Sequence, residues 1–350
     1  MNEQIKVAFF DAKPYDIQSF NGINPDFNYK IKYFSQHLDI DSAPLTKGYD
    51  VVCCFVNDKI DKEVIPLIIN NGVKLIAMRC AGYNNVDLKA AYRNIHVVRV
   101  PAYSPFAVAE HAVALMLSLN RKTHRAYFRT HDNNFNIHGL LGFDMFGKTA
   151  GIIGTGKIGK ILINILKGFG MKILAYDMYP DAAFEKETGI EYTTLERIYS
   201  ESDIISLHCP LTRDSYHMIN KQTFAMMKET VMIINTSRGA LIDTRDLVEA
   251  LKDKKIGYAG LDVYEEESEY FFEDFSGEVI SDDVLARLLT FPNVLVTSHQ
   301  AFFTKEAIHN IADTTLKNIN DFFSHDTLPN EICYKCGSEH CNKKITGKCF

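Results

Sequence analysis

"GIIGTGKIGK", Gly151 to Lys160, lies near the middle of this 350-residue chain. Ile152 and Ile153 lead into it as a buried-strand run, and "KILINILKGFG" follows as a helix pattern closed by Gly168 and Gly170. In that setting the three glycines have separate tasks. Gly154 allows the tight turn, Gly156 lets the backbone approach a pyrophosphate, and Gly159 lets the helix pack closely on the strand. The helix N-terminus offers free N–H groups and a positive dipole end to phosphate oxygens. After the next strand-like run comes Asp177, about the ~20 residues on at which an acid accepts from a ribose 2′-hydroxyl. A carboxylate there repels a 2′-phosphate, so NAD is expected rather than NADP. An ordinary strand–turn–helix is the alternative, and the rest of the chain decides against it.

Working outward, the first hundred residues alternate strand and helix patterns. "KVAFFD", "YKIKYF", "DVVCCFV", "VKLIAMR" and "HVVRV" are short β-rich runs, with "DKEVIPLIINNG" and "VDLKAAYRN" as helical segments between the later ones. One long helix is expected from about Ser104 to His131. A second series follows: "KTAGIIG", "MKILAYD", "DIISLHC", "VMIIN", "YAGLDVY" and "NVLVTSH" as strands, then "TKEAIHNIADTTLKNINDFF" as a last helix. Such alternation predicts parallel strands with helical crossovers, in two doubly wound α/β units.

Composition narrows the class. Apolar residues make up 46% and charged residues 23%, the balance of a globular protein long enough for two domains. The net charge of −6, with both signs interspersed, speaks against nucleic acid as a partner. The most apolar helix pattern, "PFAVAEHAVALMLSLN", carries Glu110 and His111 and is no membrane span. The start, "MNEQIKVAFFD", runs straight into a strand without a secretory leader. Cys53, Cys54, Cys80 and Cys209 sit in apolar runs as small hydrophobes. No disulfide framework is evident, so a reducing, cytoplasmic location is expected.

Three stretches place polar groups just past strands, where open α/β sheets bind ligands: "INTSRGALID", "LDVYEEE" and "TSHQAFFT". Arg238 can clamp a carboxylate with its planar fork. His299 can exchange a proton near neutral pH, and a carboxylate beside it would favour the charged imidazole. Singly, each has a structural explanation; past strands of one nucleotide-binding unit, together they mark a site. Which of Glu265, Glu266 and Glu267 would face the histidine is not readable from the residues themselves.

These motifs, with "RCAGYNNVD" and "VPAYSPFAVAEHA" upstream, resemble the D-2-hydroxyacid dehydrogenases, most of all the branch of fermentative bacterial D-lactate dehydrogenases. The resemblance runs from the first strand to about Glu331. It implies a flavodoxin-like substrate (catalytic) domain, residues 1–102 plus 300–332, and a Rossmann NAD-binding domain, residues 103–299. A cleft between them would close by hinge motion near Pro101 and His299. Residues 333–350 would form a Cys-rich tail. The implied reaction is reduction of pyruvate to D-lactate with NADH. Arg238 would bind the substrate carboxylate, and His299, paired with Glu267, would protonate the carbonyl oxygen. Tyr103 and Phe302 would line the small-substrate pocket, with Ala81 and Gly82 as backbone donors. Lys157, Ile158, Asp177, Cys209, Pro210, Ser215, Thr236, Ser237 and Asp262, with Gly154, Gly156 and Gly159, would contact NAD. A homo-oligomer, dimer or tetramer, would form through the long helix. Two alternatives remain at this point: a relative acting on a bulkier 2-keto acid, and an NAD-sensing binding protein of the same fold.

Two stretches stay outside that scheme. "NRKTHRAYFRTH" is a basic run expected as a solvated face or an interface. In the tail, Cys333 and Cys336 have metal-ligand spacing, and His340, Cys341 and Cys349 can complete a tetrahedral zinc site. The irregular second half favours a flexible tail instead, and no catalytic metal is expected.

Overall fold

A computed structural model describes residues 4–267, 270–325, 327–336, 338 and 340–350. The chain divides into two compact units, Met1–Ser104 with Phe303–Phe350, and Pro105–Phe302.

In the first unit, β1 (Lys6–Phe9), β2 (Lys30–Tyr33), β3 (Val51–Cys54), β4 (Leu75–Met78) and β5 (His96–Val98) form one parallel sheet in the order β2-β1-β3-β4-β5. That is the flavodoxin-like strand order. Every residue of β3 and β4 is buried, which explains why they read as continuous apolar runs rather than alternating ones. The last helix, Lys305–Ser324, starts on a Thr304 side chain that accepts from the Ala307 N–H. Its Ala312, Leu316 and Ile319 pack into the same core as Phe9, Phe20, Val51 and Leu75. Burying such a Leu or Ile contributes about 1.5–3 kcal/mol, which ties the chain's end to its beginning.

The second unit holds β6 (Thr149–Ile153), β7 (Lys172–Tyr176), β8 (Glu191–Tyr192), β9 (Ile204–Leu207), β10 (Met232–Asn235), β11 (Tyr258–Leu261) and β12 (Val294–Val296). All pairings are parallel, in the order β12-β11-β10-β9-β6-β7-β8. The order reverses between β6 and β9, the switch point outside which such sheets bind ligands. β8, two residues long, leaves too little pattern to be read from sequence.

Two expectations need correction. The single helix from Ser104 to His131 is two helices, Pro105–Arg121 and Thr123–His131. Lys122 between them is left-handed, with φ 50°, which ends the first helix. The second helix has no buried residue, so no packed face holds the two in line. The C-terminal tail is also not a loose extension. It belongs to the first unit, where Gly347 O accepts from Leu328 N–H at 2.9 Å and Cys349 N–H donates to Glu331 Oε2 at 2.5 Å.

Candidate functional site

The glycine turn after β6 has the geometry its spacing implies. Gly154 has φ 97°, and a Cβ there would lie 2.5 Å from the Cys209 nitrogen. The turn is therefore pressed against the segment after β9, across the switch point. A Cβ on Gly159 would lie 2.1 Å from Gly154 O, so only glycine lets the helix Lys157–Gly168 start this close to the strand. At exposed Gly156 a Cβ would meet nothing within 4 Å. No side chain caps the first turn of that 12-residue helix. Its N–H groups, with exposed Lys157 and half-buried Ile158, form the positive end expected to receive a pyrophosphate.

Asp177 follows β7 at the neighbouring strand end. Its Oδ2 accepts from Thr155 N–H at 2.7 Å and Thr155 Oγ1 at 3.1 Å, and its Oδ1 accepts from Tyr179 N–H at 2.9 Å. Tyr192 Oη donates to Thr155 Oγ1 at 2.8 Å. The carboxylate is thus held in place from inside the protein and keeps lone pairs for a further donor. Sequence reading missed Thr155 and Tyr192. The first lies inside the quoted glycine motif, and the second has no local signal.

Arg238, Glu267 and His299 come from segments after β10, β11 and β12, three adjacent parallel strands. Asn235 fixes the first of these segments, its Nδ2 donating to Arg238 O at 2.9 Å and its Oδ1 accepting from Ser237 N–H at 3.0 Å. Arg238 itself is half-buried, and its Nη1 donates to Ser237 O at 2.7 Å. His299 Nδ1 lies 2.9 Å from Glu267 Oε1, with both side chains about a quarter exposed. Glu267 Oε2 accepts from Tyr264 N–H at 3.0 Å. The neighbouring acids are placed otherwise. Glu265 pairs with His217 at 2.5 Å and accepts from Thr244 Oγ1 at 3.0 Å, and Glu266 is exposed. Geometry therefore separates three carboxylates that composition leaves equivalent.

Asp262 is fully buried and sits behind this pair. Its Oδ1 accepts from Thr297 Oγ1 at 2.6 Å and Gln300 N–H at 2.9 Å, and its Oδ2 from Ala301 N–H at 2.8 Å. Its carbonyl accepts from His299 N–H at 2.7 Å. His111, from the helix Pro105–Arg121, reaches Thr297 Oγ1 at 3.1 Å and Asp262 Oδ1 at 3.3 Å. His299 has φ 52°, a left-handed conformation unusual outside glycine, and these bonds hold the segment around it. Beyond the cofactor contact expected for Asp262, the structure gives it the work of fixing the His299 segment. His111 and Thr297 were not read as site residues, although Thr297 is the first residue of "TSHQAFFT".

The remaining expected residues divide between the units. Ser237 Oγ donates to Cys209 O at 2.7 Å, tying the segments after β9 and β10 together, and Ser215 Oγ donates to Pro210 O at 2.7 Å within the first of them. Burial pushes the Cys209 thiol up to about 11, so it stays protonated and is no nucleophile. Thr236 is buried, and its Oγ1 has no hydrogen-bond partner among the described residues. An orphaned buried hydroxyl after β10 and an uncapped helix start after β6, both at strand ends of this sheet, suit a polar ligand, and the residues present fit NAD. Phe302 is buried at the end of this unit.

In the first unit, Ala81 and Gly82 follow β4, and Tyr103 follows β5. Ala81 O accepts from Arg99 Nη1 at 2.7 Å, and Gly82 O accepts from Cys80 Sγ at 3.2 Å. Tyr103 O accepts from Asn310 Nδ2 at 2.7 Å. Sequence reading also passed over Arg79, which is almost fully buried just before this segment. Its guanidinium donates to Phe10 O and Asp11 O, and it lies between the rings of Phe9 and Phe55.

Comparison with known proteins addresses the chain's family and fold. Residues 113–301 match the family model described as D-isomer specific 2-hydroxyacid dehydrogenase, NAD binding domain. The D-lactate dehydrogenase of Escherichia coli (strain K12) is 52% identical over 329 residues, covering 94% of this chain and 100% of the relative. The apo-structure of D-lactate dehydrogenase from Escherichia coli superposes with a TM-score of 0.87 at 50% identity, again over 94% and 100% of the two chains. The Salmonella D-lactate dehydrogenase structure gives 0.85 at 51% identity, with the same coverage. No helix among the described residues is long and apolar enough to cross a membrane.

Proposed function

The chain belongs to the D-isomer specific 2-hydroxyacid dehydrogenase family, and from that premise we propose that it is an NAD-dependent D-lactate dehydrogenase, reducing pyruvate. The observation that carries this reading is the His299–Glu267 pair at 2.9 Å, one strand away from the segment bearing Arg238.

The roles follow from the geometry. With Nδ1 held by Glu267, the imidazole has Nε2 for substrate, where it donates a proton to the carbonyl oxygen. Glu267, fixed by Tyr264 N–H, orients the ring so that Nε2 faces the carbonyl it protonates. Arg238 binds the carboxylate of the keto acid and stabilises the charge growing on its carbonyl oxygen. Bound NADH would supply the reducing equivalent at C2. Gly154, Gly156, Lys157, Ile158 and Gly159 hold the pyrophosphate, and Asp177 accepts from the adenosine ribose. Cys209, Pro210, Ser215, Thr236, Ser237 and Asp262 complete the cofactor contacts. Phe302 and Tyr103 are each assigned a contact with the substrate. Ala81 and Gly82 act as backbone donors to the carboxylate; among the described residues neither N–H has a partner, while both carbonyls do. The Pro105–Phe302 unit is thus the cofactor domain.

We also assign a homo-oligomer, a dimer or tetramer. Phe135, Ile137, Leu141 and Phe146 support it, each more than 70% exposed in the single chain. Eight free cysteines fit the reducing cytoplasm. The test is product chirality: pyruvate and NADH with the purified chain should give D-lactate on enantioselective chromatography. L-lactate or a racemic product would refute the assignment.

A further inference from the structure

The C-terminal segment carries four cysteines that the dehydrogenase reaction does not use, spaced Cys333-x2-Cys336-x4-Cys341-x7-Cys349. The fold brings all four sulfurs within 4.8 Å of one another. The separations are 3.8 Å for Cys333–Cys336, 4.0 Å for Cys333–Cys341, 3.7 Å for Cys336–Cys349 and 3.9 Å for Cys341–Cys349. A zinc ion with four Zn–S spokes of about 2.3 Å has tetrahedron edges of about 3.8 Å. The four edges agree with that figure to within a few tenths of an ångström, and none of the cysteines is in a disulfide.

We propose that Cys333, Cys336, Cys341 and Cys349 bind one structural zinc ion, which clamps the C-terminal segment onto the edge of the first unit's sheet. The surroundings suit a thiolate cage. Cys333 N–H points to Cys336 Sγ at 3.2 Å. Such N–H···S bonds stabilise thiolates, as outer-shell partners do at other metal sites. Zinc with four thiolates carries a net charge of about −2, and Lys335, Lys343, Lys344 and Lys348 lie within the same stretch. His340, the other candidate ligand, is not among the four. With all four positions taken by protein, the ion has no open site for substrate and serves the fold.

The clamp has something to hold. β5 is an edge strand, and residues 330–332 cover it through Arg99 N–H to Asn330 O at 3.1 Å and Ile332 N–H to Val97 O at 2.8 Å. Glu331 is fully buried, meeting His96 Nδ1 with Oε1 at 2.5 Å and accepting from Cys349 N–H with Oε2 at 2.5 Å. Phe350 stacks on His96 at 4.4 Å, and Tyr334 packs edge-on against Tyr92. A segment this short has little apolar core of its own, and small folds of that kind use metals or disulfides as staples. Zinc closes the loop that returns Cys349 and Phe350 to β5, protecting an edge that would otherwise be open to pairing.

The test uses the full chain, purified from zinc-supplemented culture and dialysed. Metal analysis should find one zinc per chain, falling more than tenfold in Cys336→Ser and in Cys341→Ser. Both variants should keep their secondary structure and melt at lower temperature. Cobalt(II) added to chelator-stripped unsubstituted chain should give thiolate-to-metal charge-transfer absorption saturating at one equivalent. Absence of zinc and of the cobalt signal would overturn the proposal. So would disulfides among the four cysteines in reductant-free native mass spectrometry, iron in place of zinc, or zinc retained by both serine variants.

Discussion

Glu267 holds His299 by one carboxylate oxygen and is itself held by the other: Oε1 lies 2.9 Å from His299 Nδ1, and Oε2 accepts from Tyr264 N–H at 3.0 Å. The imidazole is therefore oriented as well as polarised. His299→Gln should lower kcat for pyruvate reduction by about 10²–10⁴-fold, the worth of a positioned proton donor. Glu267→Gln should lose less. The amide oxygen still accepts from His299 Nδ1, but its nitrogen cannot accept from Tyr264 N–H, so the ring keeps its partner while that partner loses its own anchor. Steady-state kcat values of both variants check this; an unchanged kcat in Glu267→Gln would separate the pair functionally.

Asp262 acts on the same residue from behind. Its two oxygens take up Thr297 Oγ1, Gln300 N–H and Ala301 N–H in a fully buried place, and an amide would present a donor to one of them. Asp262→Asn should cost about 1–3 kcal/mol of local stability and loosen the His299 segment. We expect kcat to fall more than NADH affinity, read from single-turnover rates and fluorescence titration. A loss confined to NADH binding would leave Asp262 with a cofactor contact alone.

Asp177 should make NADH strongly preferred over NADPH, since a ribose phosphate would set like charges together and lose a hydrogen bond. Asp177→Ser should narrow the ratio mainly by weakening NADH binding about 10- to 100-fold, the worth of a hydrogen bond to a charged group. Asp177 also holds Thr155 N–H, so Asp177→Asn, which keeps an acceptor, serves as the structural control. Equal use of both cofactors by the unsubstituted chain would refute the assignment.

Truncation after Glu331 separates fold from chemistry. It removes Ile332 from the edge of β5, Phe350 from His96 and the Cys349 N–H from Glu331. The shortened chain should melt at least about 5 °C lower, at ~2–4 °C per kcal/mol for a domain of this size, yet reduce pyruvate at a near-normal kcat. Lost turnover in a chain that stays folded and oligomeric would bring the segment into the mechanism.

What could be read in the sequence was whatever leaves a local pattern. Gly154, Gly156 and Gly159 show themselves because turn, phosphate approach and close packing each require glycine at a fixed spacing. Continuous apolar runs such as Val51–Cys54 show themselves because a parallel strand is buried on both faces. Arg238 and His299 were legible as polar groups just past such runs. The interior partners were not, because they are set by distances in space. His111 sits 186 residues from Thr297, and Tyr192 meets Thr155 across 37. The cysteines of the tail were visible, but their irregular spacing pointed away from the tetrahedron that the fold builds.

Substrate choice tests the central claim most directly. The chain should be assayed with NADH against pyruvate, 2-ketobutyrate, 2-ketoisocaproate and phenylpyruvate, and kcat/KM compared. A D-lactate dehydrogenase should favour pyruvate, with 2-ketobutyrate reduced more slowly, since one methylene alters binding by about 1–3 kcal/mol. Higher kcat/KM on 2-ketoisocaproate or phenylpyruvate would contradict the account in favour of a bulkier substrate. NADH binding without turnover on any of the four would contradict it in favour of a sensor.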